Sequence, residues 1–177
     1  AFAMAVRKGQ RESQARAMTV NNANSSREQV MRLFEMTDML QSAGDLTDAN
    51  AVLRSTAAEL IPDHGGALYV FNNSRDRLVL STSWGLDPDA EAVDSIGLQQ
   101  CCALKRGKSH INRPSSHKLC CEHHRGASHV LEIPMIARGE ILGLLQIHSG
   151  DADDAETQLG KVRTLGVALA DAMSLAL

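Results

Sequence analysis

Ile133-Pro134-Met135-Ile136-Ala137-Arg138-Gly139-Glu140-Ile141-Leu142-Gly143-Leu144-Leu145 is the stretch on which the fold turns. Two mostly apolar runs, Ser128 to Ile136 and Ile141 to His148, flank the turn Ala137-Arg138-Gly139-Glu140. Gly139 is accounted for by turn geometry. Runs of this kind are expected of adjacent antiparallel central strands covered on one face by helices. A second hairpin lies upstream. Ala67 to Phe71 reads as a buried strand, Asn72-Asn73-Ser74-Arg75-Asp76 is turn chemistry, and Arg77 to Trp84 pairs back and ends at Gly85. Residues 86–100 read as a loop with a helical turn, and Cys101 to Gly126 is polar, His-rich and without a period.

Helical patterns flank these strands. Residues 1–25 are polar and small and read as a flexible or helical lead-in, with a single domain over 26–177. From Ser26 a stripe of Val30, Leu33, Phe34 and Leu40 marks a helix that Met31, Met36 and Met39 widen. The methionines read as core or dimer filler, not as sulfur ligands. Gly44 stops this helix and Thr47 is placed to cap the next. There Ala49, Val52, Leu53, Thr56, Ala57, Leu60 and Ile61 share a face, ending the N-terminal helices at 61. Asp151 to Asp154 place carboxylates where a helix N-terminus favours them, opening a C-terminal helix over 152–177. Its Leu159, Val162, Gly166, Leu169 and Met173 are spaced 3, 4, 3, 4. That pattern suits a coiled-coil dimer seam and equally a helix packed on its own sheet.

Composition removes several function classes. With 177 residues, 44% hydrophobic and 22% charged, the chain matches one ordinary globular domain. A formal net charge of −3 supplies no basic field for a nucleic-acid backbone. Apolar stretches run only a few residues, so no bilayer-spanning helix is expected. No charged n-region followed by an apolar h-region opens the chain, so a secretory signal is not expected either. Aromatics make up 3%, which leaves too few for an aromatic cage or a base-stacking platform. The four cysteines form two adjacent pairs, Cys101-Cys102 and Cys120-Cys121. Vicinal cysteines rarely bond to each other, and in a cytoplasmic setting such clusters point to metal or redox chemistry before a disulfide scaffold.

Several phrases, in order, resemble the GAF domains of bacterial signalling proteins. They are Met36-Thr37-Asp38-Met39-Leu40-Gln41-Ser42, Ala57-Ala58-Glu59-Leu60-Ile61-Pro62, Gly66-Ala67-Leu68-Tyr69-Val70 and Ser83-Trp84-Gly85. Cys101-Cys102-Ala103-Leu104-Lys105-Arg106-Gly107-Lys108-Ser109-His110 is similar to the family's Cys-Trp-Ala-Leu-Arg-Arg-Gly segment, with Cys102 where Trp is usual. Cys121-Glu122-His123 is similar to a later Cys-x-His, and the hairpin quoted first is similar to the family's closing one. The resemblance spans about residues 30 to 175. It implies an α/β (α+β) fold of the GAF/PAS kind. An antiparallel sheet of about five or six strands would carry the N- and C-terminal helices on one face and a ligand pocket on the other.

The segment where this resemblance places the pocket wall holds all four cysteines and His110, His117, His123, His124 and His129. Thiolate and neutral imidazole are the side chains that build tetrahedral zinc and related sites. Cys101, His110, Cys121 and His123 are the candidate metal ligands, with Cys102, Cys120 and His124 as substitutes. Cys121 and His123, two apart, converge in an extended segment, and Gly107 supplies the curvature that brings the first pair to them. Surface histidines beside small buried thiols are the plain alternative. Arg106, in a basic turn with Lys105, Lys108 and His110, is a candidate for a ligand's carboxylate or phosphate, or simply a solvated face. His64 and His148 read as structural or exposed. Zinc or iron are the cofactors to expect, haem less so. A bilin is disfavoured because Cys121 is followed by Glu122, Cys120 by Cys121, and aromatics are few.

The function that follows is a noncatalytic cytoplasmic sensor that binds a small ligand or a metal or redox cofactor. It would act as a homodimer through its N- and C-terminal helices. These would relay the signal to an output domain of the diguanylate cyclase or histidine kinase type in the same parent chain, itself tethered to a membrane or not. That places it in cyclic di-GMP or two-component signalling. The alternative is a thiol-dependent enzyme like free methionine-R-sulfoxide reductase, also GAF-like, in which one thiolate attacks the sulfoxide and a second thiol resolves the product.

Overall fold

The computed structural model describes residues 2–86, 92–113, 121–124, 126, 128–149 and 153–177. The secondary structure begins with α1 (Phe2–Ser42), α2 (Leu46–Leu60), β1 (Gly65–Phe71) and β2 (Arg77–Trp84). A short edge strand β3 (Ser95–Gly97), a 3-10 turn at Leu98–Gln100, a five-residue helix α3 (Cys102–Arg106) and β4 (His110–Asn112) follow. The chain closes with β5 (Val130–Ala137), β6 (Glu140–His148) and α4 (Ala155–Ser174). The six strands form one sheet in the order β3-β2-β1-β6-β5-β4, with every neighbouring pair antiparallel. β5 and β6 are the hairpin expected from the sequence. Arg138 and Gly139 at its tip both have positive φ, 53° and 81°, as the two central residues of a type I′ turn require. Pro134 is tolerated because β4 pairs only with Val130, Leu131 and Glu132, so the partner on that side has ended before the proline.

The sheet is buried on both faces, which explains why its strands read as apolar runs instead of clean alternation. Leu68, Leu131, Ile133, Met135, Leu145 and Ile147 pack under α1, α2 and α4. Ala67, Tyr69, Leu78 and Leu144 point the other way, under Ile96, Cys101, Ala103, Leu104 and Cys121. Among the described residues between β2 and β5, those from Cys101 to Leu104 together with Cys121 lie over the second face as a lid, and Tyr69 ties down the loop before β3 by donating its hydroxyl to the Val93 carbonyl at 2.9 Å. β3 and β4 are three residues each, too short to show a two-residue period in the sequence.

The helices differ from expectation in three places. The cap of α2 is Asp45, whose carboxylate accepts from the Asp48 N–H at 3.0 Å; Thr47 lies inside the helix instead. On α1 the inward stripe is Leu33, Met36 and Leu40, whereas Val30, Met31, Phe34 and Met39 are exposed. The Met36 side chain is fully buried and fills the core beside Leu53 and Met173. On α4 the heptad-spaced residues pack against the domain's own sheet. Leu159, Leu169 and Met173 are fully buried, and a Cβ on Gly166 would meet the Ile133 and Ile147 Cδ1 atoms at 2.6 Å. A seam already occupied by β5 and β6 has no free face for a second helix, so the coiled-coil reading of these residues is replaced by the helix-on-sheet one. Among the described residues no helix is long and apolar enough to cross a membrane.

Candidate metal centre

The second face of the sheet carries a polar cluster inside its apolar surroundings. Glu132 leaves β5 on the side opposite Leu131 and Ile133 and is fully buried. Across the ladder it faces His110 on β4 and Gln146 on β6, so all three lie in one row on the same face. Burying a carboxylate this deeply is costly unless every oxygen is partnered. It is. Cys101 Sγ donates to Oε2 at 2.9 Å, Gln146 Nε2 donates to Oε1 at 2.9 Å, and His123 Nε2 lies 3.0 Å from Oε1.

The lid delivers the other groups. Cys101 precedes α3 in extended backbone and enters the core, while the next residue, Cys102, starts the helix and stays half-buried. Gly107, in the left-handed region at φ 62°, ends α3 and turns the chain into β4. The Asn112 side chain then accepts from the Cys121 N–H at 3.1 Å and pins the returning segment. A turn closed by the His124 N–H on the Cys121 carbonyl swings the His123 ring over Glu132. Cys101, Cys121, His123 and Glu132, all buried, thus bring four ligand atoms within 4.8 Å of one another. Cys102, His110 and Cys121 form a second group within the same limit.

Of the four ligands expected from the sequence, three converge: Cys101, Cys121 and His123. His110 does not join them. It stands one strand further out than Glu132, and Glu132 takes the fourth position. Among the substitutes, Cys102 belongs with His110 in the outer group. His124 bonds the Ser128 carbonyl at 3.0 Å through Nε2 and is in neither group, and Cys120 and His117 lie outside the described residues. Arg106 is exposed at the end of α3, apart from the thiols. With His110, Arg113 and Arg163 it lines a cavity of about 300 Å³ beside α4. Glu132 was missed, although the sequence carried a signal: it is the lone charge in the apolar run Val130 to Ile136. A charge at the centre of such a strand needs a dedicated partner.

Electrostatics sharpen the cluster. The neighbouring Cys101 thiol, His123 and the Cys102 N–H (3.0 Å) together pull the Cys121 thiol far below its ordinary range despite burial. The nearness of Cys121, together with burial and Glu132, pushes Cys101 up. Burial works against a charge on His123, but hydrogen bonds to Cys121 and Glu132 outweigh it and raise the imidazole to about 9. The shifts of Cys121 and His123 both favour the charged forms. Two sulfurs, a ring nitrogen and a carboxylate oxygen are also a donor set that suits zinc or iron(II).

Gln146 links this centre to a half-buried histidine, His148. The His148 Nε2–H donates to Gln146 Oε1 at 3.2 Å, which leaves Nδ1 as a buried lone pair with no partner among the described residues. A proton on Nδ1 would have no acceptor, and burial, helped by nearby His124, lowers His148 to about 4. His148, read from the sequence as structural or exposed, is half-buried with its Nδ1 enclosed. Between pH 6.5 and 4 the unfolded chain binds a proton at this residue that the folded chain refuses. Stability from this group is complete above pH 6.5 and falls by up to about 3 kcal/mol on acidification to pH 4. Urea unfolding across that range, compared with His148→Gln, should show the steeper acid loss in the parent chain; parallel curves would remove this role.

No protein-family model and no curated protein matches the chain. Solved structures do. The GAF domain of a phosphoenolpyruvate-protein phosphotransferase from Coxiella burnetii superposes with a TM-score of 0.57 at 19% identity, covering 84% of this chain and 94% of that one. The A. aeolicus NLH2 GAF domain in an inactive state gives 0.59 at 14% identity, covering 86% of this chain and 99% of that one. The free methionine-R-sulfoxide reductase of Neisseria meningitidis, in complex with its substrate, gives 0.51 at 18% identity, with 82% and 89% covered. At these identities the likeness lies in the backbone arrangement alone. The chain has the fold of the GAF domains.

Proposed function

We propose that this is a noncatalytic sensory domain of the cytoplasm whose input is a thiophilic divalent ion, of the zinc or iron(II) class, bound by Cys101, Cys121, His123 and Glu132. The observation that carries the reading is the convergence of four buried ligand atoms within 4.8 Å. Such an ion would tie the lid to β5 through Glu132. The neighbours of Glu132 on the opposite face, Leu131 and Ile133, belong to the core under α4, and Ile133 touches Gly166. Occupancy would thereby bias how α4 sits, which is the two-state element a relay requires. The terminal helices, exposed along most of α1, would pass that bias to a partner copy and to an output domain in the same parent chain. A diguanylate cyclase or histidine kinase is the expected output.

Elemental analysis and an absorption spectrum on protein purified without a metal-affinity tag test this. About one equivalent of zinc or iron, lost in both Cys121→Ala and His123→Ala, is expected. A metal-free, colourless protein that stays so after incubation with either ion would overturn it.

A second reading rests on the same thiols, with a Cys121 thiolate beside Cys101 and Cys102. Attack of Cys121 on the sulfur of a protonated free methionine sulfoxide would release methionine and leave a sulfenic acid. A second thiol would then form a disulfide and expel water. One turnover needs no outside reductant, so methionine released from sulfoxide by the reduced protein separates this enzyme from the sensor.

A further inference from the structure

Cys121 belongs to two ligand groups at once. Toward the core its sulfur stands with Cys101, His123 and Glu132; toward the outside it stands with Cys102 and His110. The vicinal pair Cys101-Cys102 produces this arrangement. Successive residues at a helix start point about 100° apart, so one thiol enters the core while its neighbour, half-buried, faces the other side of Cys121. His110 completes the outer group from β4, directly across the ladder from Glu132 and on the same face. The row His110, Glu132 on adjacent strands thus places one non-sulfur ligand on each side of a single sulfur.

The two groups differ in the property that separates structural from reactive sites. The inner one offers four protein ligands, all buried, the number that fills a closed four-coordinate site. The outer one offers three, two of them half-buried, and leaves a fourth position for a small exogenous donor. A thiolate sulfur has lone pairs enough to bridge two ions.

Building on the metal reading above, we propose that Cys102, His110 and Cys121 form a second metal site for a zinc-class ion, bridged to the inner ion through the Cys121 sulfur and open to one small exogenous ligand such as a thiol or an inorganic anion. The inner ion then ties the lid to β5, and the outer one opens the same centre to a second, exogenous donor. The sharing makes Cys121 the one residue on which both ions depend.

Cobalt(II) titration of the reduced, chelator-stripped chain, read by sulfur-to-metal charge-transfer absorption, tests this. The parent chain is expected to saturate at two equivalents, the second weaker than the first. Cys102→Ser and His110→Ala, both at half-buried positions, should each lose only the second equivalent. Cys101→Ser and Glu132→Gln should weaken the first and keep the second, and Cys121→Ser should lose both. Saturation of the parent at one equivalent, unchanged in Cys102→Ser and His110→Ala but lost in Cys101→Ser, would overturn the outer site and leave the inner one standing. Absence of any cobalt band in the parent would overturn both.

Discussion

In chelator-treated protein, His123→Leu is expected to lower the unfolding free energy by about 3–5 kcal/mol, the usual cost of removing one partner from a buried ion pair. Glu132 is fully buried, and its Oε1 would keep only the Gln146 amide once the ring 3.0 Å away is gone. The carboxylate would retain two hydrogen bonds but lose the cation that offsets its transfer out of water. Replacing Glu132 alone by leucine should also be costly, because His123, Cys101 and Gln146 then lose an acceptor in the core. Replacing both together removes the charge pair and leaves only neutral donors short of a partner, at about 1–3 kcal/mol. The double variant should therefore fall short of the sum of the singles by about 2 kcal/mol. Urea unfolding of the four proteins at neutral pH closes the cycle. Additivity within about 0.5 kcal/mol would mean that the two residues do not act as a pair.

The second large effect is stabilisation by metal. Binding to the folded state alone adds about 4 kcal/mol when the free ion stands a thousandfold above its Kd. For a domain of this size that is a rise of roughly 8–16 °C in Tm. The unfolded chain, with its clustered cysteines, competes for zinc and reduces the gain, so the lower part of the range is the expected one. Thermal unfolding with zinc and with chelator measures it. Cys121→Ser should abolish the shift. His124→Ala should keep it, since His124 is held by the Ser128 carbonyl and lies outside both ligand groups. A shift of equal size in Cys121→Ser would place the ion elsewhere.

Both experiments depend on a residue that sequence reading passed over. The density of Cys and His between 101 and 129 drew attention to that segment, and three of its four favoured ligands converge. Their fourth partner lies in β5, outside that segment, because a strand supplies a ligand from one position only and then returns to apolar residues. His110 was chosen for its nearness in sequence to the cysteines. In the fold it lies beyond Glu132, one strand spacing further from the inner ligands. Arg106 followed the same logic of proximity and ends on the outer surface of α3, where it faces Arg113 and Arg163 across a cavity instead of the thiols.

The helices teach a related lesson. The 3-4 spacing of Leu159, Gly166, Leu169 and Met173 specifies that one side of α4 is covered, but a second helix and a sheet satisfy it equally. The apolar width of α1 likewise does not say which part of it faces inward: Phe34, expected on the stripe, is exposed, and Met36, expected to widen it, is fully buried.

What the sequence determined by itself is the order of the long helices and of the four longer strands, the two hairpins and their turns, the burial of one face of each of α2 and α4, and the residue types available for a site. These follow from local rules: residue period, turn stereochemistry and the types of side chain present. What only the tertiary structure decided is which side chains share a centre. That choice is made by strand register, which sets Glu132 between His110 and Gln146, and by the lid's return over the sheet, which carries Cys101 and Cys121 onto it. Register and chain return join residues far apart in sequence, and no periodicity along the chain records them.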